Sequence, residues 1–492
     1  MIGNMRHIYI FLFSFLMLFL GHFASSQEVS RQLNLQECID IALENNLTVK
    51  RSALNAELSK ISVQESQASR LPNLNLSTNY GNNWGRSIDP TTNSFIAQQI
   101  RTSGLSGNSS LNLFAGGQIY FSIKQSQLNL SAAQYDLVST KDNIAMNIAN
   151  FYLNIIFNQE LLQNSLLQLT STQQQLNRTQ RLVAVGSLPK TSELALISQL
   201  AGNQVTLINA QNSLALAVLN LKQAMLIPAS EEIEIVIPDI DVEQLITENQ
   251  TIQEIYDNAI GVRPEIKSAY LRVESANVGL KIAKGAYYPS LRLNGNLYTN
   301  YSDIADRERI IYDNTTPVIQ DVPIGFFVDG SMLEVPVYSR ITSGTIIGTE
   351  SFNRSRQWRE NFSQSLSFSL SVPVFNNLRT NANVQRSKIQ LQQSEIAVKE
   401  QTNQLRQAIE SAFNDTQSSQ KSFLASKKQV EALEETLRII ESQYNLGAAN
   451  FTEYQIASNN LFAARSDLAR SKFNYIFRQK ILDFYQNRSL TF

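Results

Sequence analysis

The sequence predicts an α+β membrane protein of two tandem structural repeats, in which a long α-helical coiled-coil barrel is continuous with a transmembrane β-barrel. Three observations predict it. The chain matches itself at fixed offsets along most of its length. A stretch from Ile119 to Ala184 has no Pro or Gly and carries apolar residues at every seventh position. Four short segments alternate apolar and polar residues, as strands with two different faces do.

The N-terminus comes first. Arg6 precedes the apolar run Ile8 to Leu20, and Ala24 and Ser26 stand at the small-residue positions of a signal-peptidase site. This predicts a signal peptide over 1–26. The run is shorter than the roughly 20 residues that span a bilayer as a helix, so a short N-terminal anchor is the weaker reading. No later segment approaches 18 apolar residues. His7 and His22 are the only histidines and leave with the signal peptide. That removes Ser-His-Asp, Cys-His and histidine-metal chemistry, and no cofactor is expected. Cys38 is the only cysteine, so no intrachain disulfide can form, and its role is open. The net charge of −1 becomes −2 without Arg6, and no basic block points to nucleic acid.

The repeat orders the rest. "ALENNLTVKRSALNAELSKISVQESQASRLPNLNL" from Ala42 matches "AIGVRPEIKSAYLRVESANVGLKIAKGAYYPSLRL" from Ala259 at an offset of 217. Further on the offset is 261: Phe114 with Phe375, Gly186 with Gly447, Leu221 with Leu482. The difference is a 44-residue insertion between Pro289 and Phe375. The first repeat is 27–226, a linker 227–255, and the second repeat 256–492. Each repeat reads helix, two strands, long helix, shorter helix. Before Pro72 the pattern predicts one helix of about 35 residues, and 119–184 a rod of about 100 Å. Ile148, Ile155, Leu162, Leu169, Leu176 and Val183 form its heptad row. Ile409, Phe423, Val430, Leu437 and Tyr444 form that of the second repeat, interrupted by Thr416. After turns at Gly186 and Gly447, shorter helices cover about 191–226 and 452–485. A coiled-coil rod would explain the heptads but not the strands.

The strands are expected at about 72–85, 104–115, 289–302 and 361–374. The last contains "SLSFSLSV": Leu366, Phe368, Leu370 and Val372 fall on one face and four serines on the other. Such lengths suit tilted strands crossing a bilayer, with the leucine face toward lipid and the serine face toward water. A soluble hairpin packed on a helix is the competing reading. Four strands cannot close a barrel, and an open edge in lipid leaves backbone groups unpaired. Two chains would supply eight strands and three chains twelve. The insertion 303–360, rich in Pro, Gly, Asp and Thr, reads as extracellular loop with short strands.

The ordered set of segments resembles the TolC-type outer-membrane efflux channels. "LNLQECIDIALENNLTVKRSAL" is similar to the family's opening motif, and "IYDNAIGVRPEIKSAYL" to its second copy. "RLVAVGSLPKTSEL" and "ESQYNLGAANFTEY" resemble its paired helix turns. The resemblance spans Leu33 to Tyr485. It implies a homotrimer with a twelve-stranded barrel in the outer membrane of a Gram-negative-type bacterium and a helical tunnel in the periplasm, with 227–255 in an equatorial belt. It implies a passive exit duct of a tripartite efflux pump or type I secretion system. Its partners would be outer-membrane lipid, a periplasmic adaptor (membrane fusion) protein, and an inner-membrane efflux transporter or secretion ATPase. The resemblance puts adaptor contacts at the turns Gly186, Ser187, Leu188 and Gly447, Ala448, Ala449. It puts a periplasmic constriction at Tyr444 and Glu453, with Glu193 in the first half. The family's arginine two residues after the turn glycine is Ala449 here, and its second acid is Ile456. Glu453 and Glu193 also suit the first turn of a helix, where the dipole favours a carboxylate. No nucleotide-binding loop or catalytic constellation is visible, so an enzyme is not expected. The alternative function is an outer-membrane-anchored structural or surface-recognition protein.

Overall fold

A computed structural model of the chain describes residues 31–488 and 490, apart from 89, 92, 94, 97–98, 239–241, 243–250, 306–307 and 329–333. The predicted signal peptide 1–26 and part of the linker 227–255 lie outside the described residues. In chain order the elements are β1 (Arg31–Leu33), α1 (Leu35–Asn45), α2 (Leu47–Ala68), β2 (Asn73–Asn83), β3 (Ser87–Ile88), β4 (Phe95–Ile96) and β5 (Ile100–Ala115). Then come α3 (Gln118–Ala184), α4 (Lys190–Met225), β6 (Ile233–Ile235), α5 (Ile252–Val262), α6 (Pro264–Gly285) and β7 (Ser290–Ser302). The chain ends with β8 (Glu308–Val328), β9 (Glu334–Ser351), α7 (Arg354–Glu360), β10 (Ser363–Ser371), α8 (Arg379–Asn445) and α9 (Phe451–Tyr485).

The heptad runs become α3 and α8, each 67 residues without a break. Polar residues inside them do not stop the helix, because they bond back to their own turn. Thr416, which interrupts the apolar row of α8, donates its hydroxyl to the Ala412 carbonyl at 2.7 Å. The helix expected to run unbroken to Pro72 is instead two, α1 and α2, hinged at Asn46. The Asn46 side chain accepts from the backbone N–H groups of Thr48 and Val49, so it ends one helix and caps the next. At the matching position, 217 residues on, Arg263 sits extended before Pro264 and divides α5 from α6. Both α1 and α5 begin with capping boxes, Asn34 with Glu37 and Thr251 with Glu254.

The chain divides into two compact units. The first holds residues up to Ile61, Gln127–Ala276 and Gln390 onward. Its larger core gathers Cys38 and Ala42 of α1, Ile148, Tyr152 and Ile155 of α3, Leu221 and Met225 of α4, and Tyr475 and Ile476 of α9. Cys38 is a fully buried apolar residue in that core. A second core packs Ile255, Ala259 and Ile266 against Ile409, Ala412 and Leu482. Cys38 and Ile255, Ala42 and Ala259, Ile148 and Ile409, and Leu221 and Leu482 are each separated by 217 or 261 residues.

Arg263 closes this second core. Its guanidinium is 2% exposed, lies 4.0 Å over the Phe484 ring, donates to Glu265 at 2.9 Å and to the Phe484 carbonyl at 3.2 Å, and faces Asp142 at 3.6 Å. Burial pushes the Asp142 carboxyl above the usual range, and Arg263 opposes that rise.

The second unit holds Ser62–Ser126 and Asn277–Ile389. Its centre is an antiparallel sheet in the order β10-β7-β5-β2. The chain enters α3 from β5 through Gly116 and Gly117, both left-handed. A Cβ on Gly116 would fall 2.2 Å from the Gly285 carbonyl oxygen, so no other residue fits. At the matching turn before α8, Asn377 and Leu378 take the same conformation at φ 54° and 58°.

Two expectations are corrected here. The insertion is not a loop with short strands. β8 and β9 form a long antiparallel hairpin, with register shifts at Pro317 and between Pro323 and Gly325. A two-stranded ribbon tolerates proline at bulges and on its open edges, so the proline content did not mark a loop. Val372 is not in the strand. β10 ends at Ser371, because Pro373 has no N–H for the ladder.

Candidate functional site

Two places carry the geometry that function would use: the paired helix turns and the faces of the sheet. Both turns are glycine-ended Schellman motifs. Ser187 N–H donates to the Leu182 carbonyl at 2.8 Å and Gly186 N–H to Val183 at 3.0 Å. Ala448 N–H donates to Gln443 at 2.8 Å and Gly447 N–H to Tyr444 at 3.1 Å. The two glycines sit at φ 78° and 76°, where a Cβ is strained. Gly186, Ser187, Gly447 and Ala448 are exposed, and Leu188 and Ala449 half-buried. Just before each glycine an apolar side chain stands into solvent, Val185 at 74% and Leu446 at 82% exposure. That pair was not singled out from the sequence, although the offset of 261 relates them.

The predicted constriction residues split between the two hairpins. Glu453 is exposed and completes a capping box: its carboxylate accepts from Asn450 N–H at 3.2 Å, and Asn450 Oδ1 accepts from Glu453 N–H at 2.9 Å. Glu193 opens the other hairpin, paired with Lys190 one turn back and 12% exposed. Tyr444 stacks on Tyr454 with centroids 5.4 Å apart and touches Phe451 at 6.3 Å. Its hydroxyl oxygen is buried without a hydrogen-bond partner among the described residues. Burial pushes the Tyr454 phenol above its ordinary value, against a hydrogen bond from Ser171. Tyr444 and the Glu453 turn therefore belong to one tip. Ala449 and the exposed Ile456 hold no charge there.

Sequence reasoning missed a polar network further along these helices. Gln199 of α4 accepts from Gln455 of α9 at 2.8 Å, donates to Asn459 of α9 at 3.2 Å, and lies within 3.2 Å of Asn203. Asn203 donates to Thr172 of α3 at 2.8 Å, and Gln168 reaches Ser458 at 3.4 Å. Gln199 stands beside Leu200, which with Leu207, Leu214 and Leu221 forms the sevenfold apolar row of α4, and not on that row. The signal in the sequence was amides four residues apart on both helices, Gln199 with Asn203 and Gln455 with Asn459.

The sheet sorts its side chains by face. Leu366, Phe368 and Leu370 stand opposite Gly295, Leu293 and Leu291, and Leu293 in turn opposes Leu111. Leu74 and Leu76 share that side through Ser109 and Gly107. All of Leu366, Phe368, Leu370, Leu74 and Leu76 are about two-thirds exposed or more. Val372, also exposed, stands just past the strand. On the opposite face the rungs are amides and hydroxyls: Asn75, Asn108, Asn296 and Ser365 in one, Asn73, Ser110, Asn294 and Ser367 in the next. The outer edges of β2 and β10 have no strand partner among the described residues.

No described helix is long and apolar enough to cross a membrane. Among the described residues no group of three or more His, Cys, Asp or Glu is placed to hold a metal ion.

A family model, outer membrane efflux protein, matches residues 38–225 and 345–480. No curated protein matches the sequence. Solved structures do match. A crystal structure of CusC, described through the changes that accompany folding and transmembrane channel formation, superposes with a TM-score of 0.70 at 18% identity, over 92% of each chain. The outer membrane protein VceC of Vibrio cholerae gives 0.70 at 14% identity, over 93% of this chain and 96% of that one. The open-state MtrE outer membrane channel of Neisseria gonorrhoeae gives 0.65 at 17% identity, over 93% and 89%.

Proposed function

The chain belongs to the outer membrane efflux protein family, and from that premise we propose that three copies form a passive exit duct, fed by an inner-membrane efflux transporter or secretion ATPase through a periplasmic adaptor. Family membership makes it an outer-membrane channel protein and not an enzyme. The observation that carries the finer reading is the two-faced sheet with both edges open. Leucine and phenylalanine suit one face to lipid, and asparagine and serine suit the other to a wet lumen. Open edges in lipid leave backbone groups unsatisfied, so strands of neighbouring copies complete the ladder. Twelve strands leave room for a water-filled lumen, where eight are filled by side chains. The tunnel is then the periplasmic part, and the exposed Val185 and Leu446 beside their glycines offer the adaptor an apolar grip at each turn.

Glu453, exposed at one tip, contributes one carboxylate per copy. Three of them around a narrow passage concentrate negative potential and favour cations.

The test is made on mature protein in mild detergent and planar bilayers. A trimer that conducts is expected. Leu370→Arg should cost about 2–4 kcal/mol near the midplane, while Ser369→Arg assembles with altered conductance. Glu453→Ala trimers should lose cation preference and block by multivalent cations. A monodisperse monomer with intact strand signal overturns the barrel. Unchanged reversal potentials in Glu453→Ala leave that residue as a helix cap alone.

A further inference from the structure

The leucine face of the sheet is not evenly filled. Two neighbouring rungs on it read Leu76–Gly107–Leu297–Gln364 and Leu74–Ser109–Gly295–Leu366, across β2, β5, β7 and β10. The glycines leave a hollow of about 490 Å³, walled by Leu74, Leu297 and Leu366. The backbone does not ask for them. Neither Gly107 nor Gly295 has a positive φ, and within 4 Å a Cβ on Gly295 would meet only Leu366 Cδ1, at 3.9 Å. Glycine inside a strand weakens it and often marks a place where a ligand comes close.

A cationic rim stands at one end of that face. The strands join α2, α3, α6 and α8 at their other end, and α7 packs against β7 at this one. Thr299 and Tyr301 share the face of Gly295 and Leu297. Thr299 Oγ1 donates to the Trp358 carbonyl at 2.6 Å, and the Arg354 guanidinium lies 5.0 Å from the Tyr301 ring and 5.6 Å from the Trp358 ring. Arg354, Trp358 and Arg359 are exposed. Arg356 takes both nearby carboxylates, Glu350 at 2.6 Å and Glu360 at 2.5 Å. Arg354 and Arg359 therefore have no acidic partner among the described residues. Arg101 and Asp303, paired at the ends of β5 and β7, cancel in charge. Tyr301 stands roughly 20 Å along β7 from Gly295.

From rim to hollow the order is cation, aromatic ring, apolar trough. An anionic lipid carries its parts in the matching order: phosphate, ester region, chain. Arginine suits phosphate through paired, charge-assisted hydrogen bonds, and tryptophan and tyrosine suit the headgroup level. We infer that Arg354 and Arg359 bind the phosphate of one outer-membrane lipid per copy, and that an acyl chain of the same lipid fills the hollow over Gly107 and Gly295. The inference rests on the channel reading above, which turns this face to lipid. A second copy is not the occupant, because copies joined at β2 and β10 extend the sheet sideways and the hollow lies over its two middle strands. A free anion would satisfy the arginines and leave the hollow empty.

Native mass spectrometry of the full-length mature protein, extracted in mild detergent and stripped of lipid, tests the site. The probes are dioleoyl phosphatidic acid, dioleoyl phosphatidylcholine and glycerol 3-phosphate. Phosphatidic acid should bind once per copy and about tenfold more tightly than the zwitterionic lipid, whose choline offsets its phosphate. Arg354→Gln/Arg359→Gln should lower phosphatidic acid affinity about tenfold or more and leave phosphatidylcholine unchanged. Gly295→Leu fills the hollow and should lower affinity for both lipids about tenfold. Leucine suits a strand better than glycine, so this variant keeps the test where the arginine variant assembles poorly. Equal affinity for the two lipids overturns the phosphate site. Glycerol 3-phosphate that competes as well as phosphatidic acid marks a free-anion site and overturns the lipid, as does Gly295→Leu that binds like wild type. A mature protein that stays monomeric and does not enter phosphatidic acid vesicles overturns the channel reading instead, which keeps the two failures apart.

Discussion

The hairpins α3–α4 and α8–α9 have nearly equal arms, 67 and 36 residues against 67 and 35, and the same glycine turn, yet their seams are not the same material. Where the first has Thr172 and Asn203, hydrogen-bonded and buried, the second has Leu433 and Ala464 at the positions 261 residues on. Where the first opens its second arm with the Lys190–Glu193 ion pair, the second has Phe451 and Tyr454 around Tyr444. The same contrast recurs elsewhere between positions at these offsets: Asn46 against Arg263 at the helix break, Gly117 against Leu378 before the long helix. One geometry is therefore reached by two chemistries. What the geometry requires is a satisfied backbone and a filled seam, and the residues that do this differ in how readily they let go.

Carrying a residue from one half into the other tests how far each chemistry is bound to its place. The largest effect is expected for Arg263→Asn, which installs the residue found at position 46. It strips a buried cation from Glu265, Asp142 and the Phe484 ring, and breaking such a cluster costs about 3–5 kcal/mol. Thermal unfolding followed by the helical circular-dichroism signal in detergent would measure it, and a loss under about 1 kcal/mol would show that water reaches those carboxylates after the change.

The seam comes next. Asn203→Ala alone leaves the Thr172 hydroxyl buried without its donor and should cost about 1–3 kcal/mol. Adding Thr172→Leu reproduces the apolar pair of the second hairpin and should recover most of that loss. Hydrogen exchange on the α3–α4 amides gives the local readout, and a double variant no better protected than the single one breaks the analogy between the seams. At the turn before α8, Leu378 holds a left-handed backbone that costs a non-glycine residue roughly 1–2 kcal/mol. Leu378→Gly, the residue of the other half, should therefore stabilise by about 1 kcal/mol. An unchanged melting temperature would mean that the exposed leucine makes up the strain through contacts in the assembly. The smallest effect is at the ion pair. Lys190 is largely exposed, so Lys190→Ala should change stability by no more than about 1 kcal/mol, and high salt should erase the difference.

Much of the architecture was legible because periodicity records burial. The heptad rows of 119–184 gave α3 nearly to the residue, and the alternation in "SLSFSLSV" placed Leu366, Phe368 and Leu370 on one side of β10. The glycines at 186 and 447 gave the turns. The hinge at Asn46 was not legible, since an asparagine inside an apolar pattern is as compatible with a continuing helix as with a cap. The hairpin β8–β9 was hidden because proline and glycine mark loops on average and bulges in particular cases. The Gln199 network was hidden for a deeper reason. Its partners are on another helix some 256–260 residues away, and a polar residue shows no preference for its partner until the helices are side by side. The same holds for Tyr444, whose aromatic neighbours turn it into its own hairpin.

The hairpin β8–β9 leaves the sheet and returns to it at one buried glutamine. Gln357, fully buried on α7, accepts from the Ser302 N–H at 2.9 Å and donates to the Ser302 carbonyl at 3.1 Å and the Phe352 carbonyl at 2.9 Å. Thr299 and Asn300 of β7 are bound to the Trp358 carbonyl and the Asn361 side chain beside it. The point of departure and the point of return are thus stapled together by side chains that lie outside the hairpin itself. An insertion closed in this way behaves as a cartridge. Whatever sequence occupies the hairpin can be lengthened, shortened or exchanged while Ser302, Phe352 and Gln357 stay in place, and β7 and β10 keep their register. The hairpin is in that sense free to drift in sequence, with the four-stranded sheet that carries it unaffected. A foreign peptide grafted between the two strands would be displayed on a stem that the scaffold already holds shut.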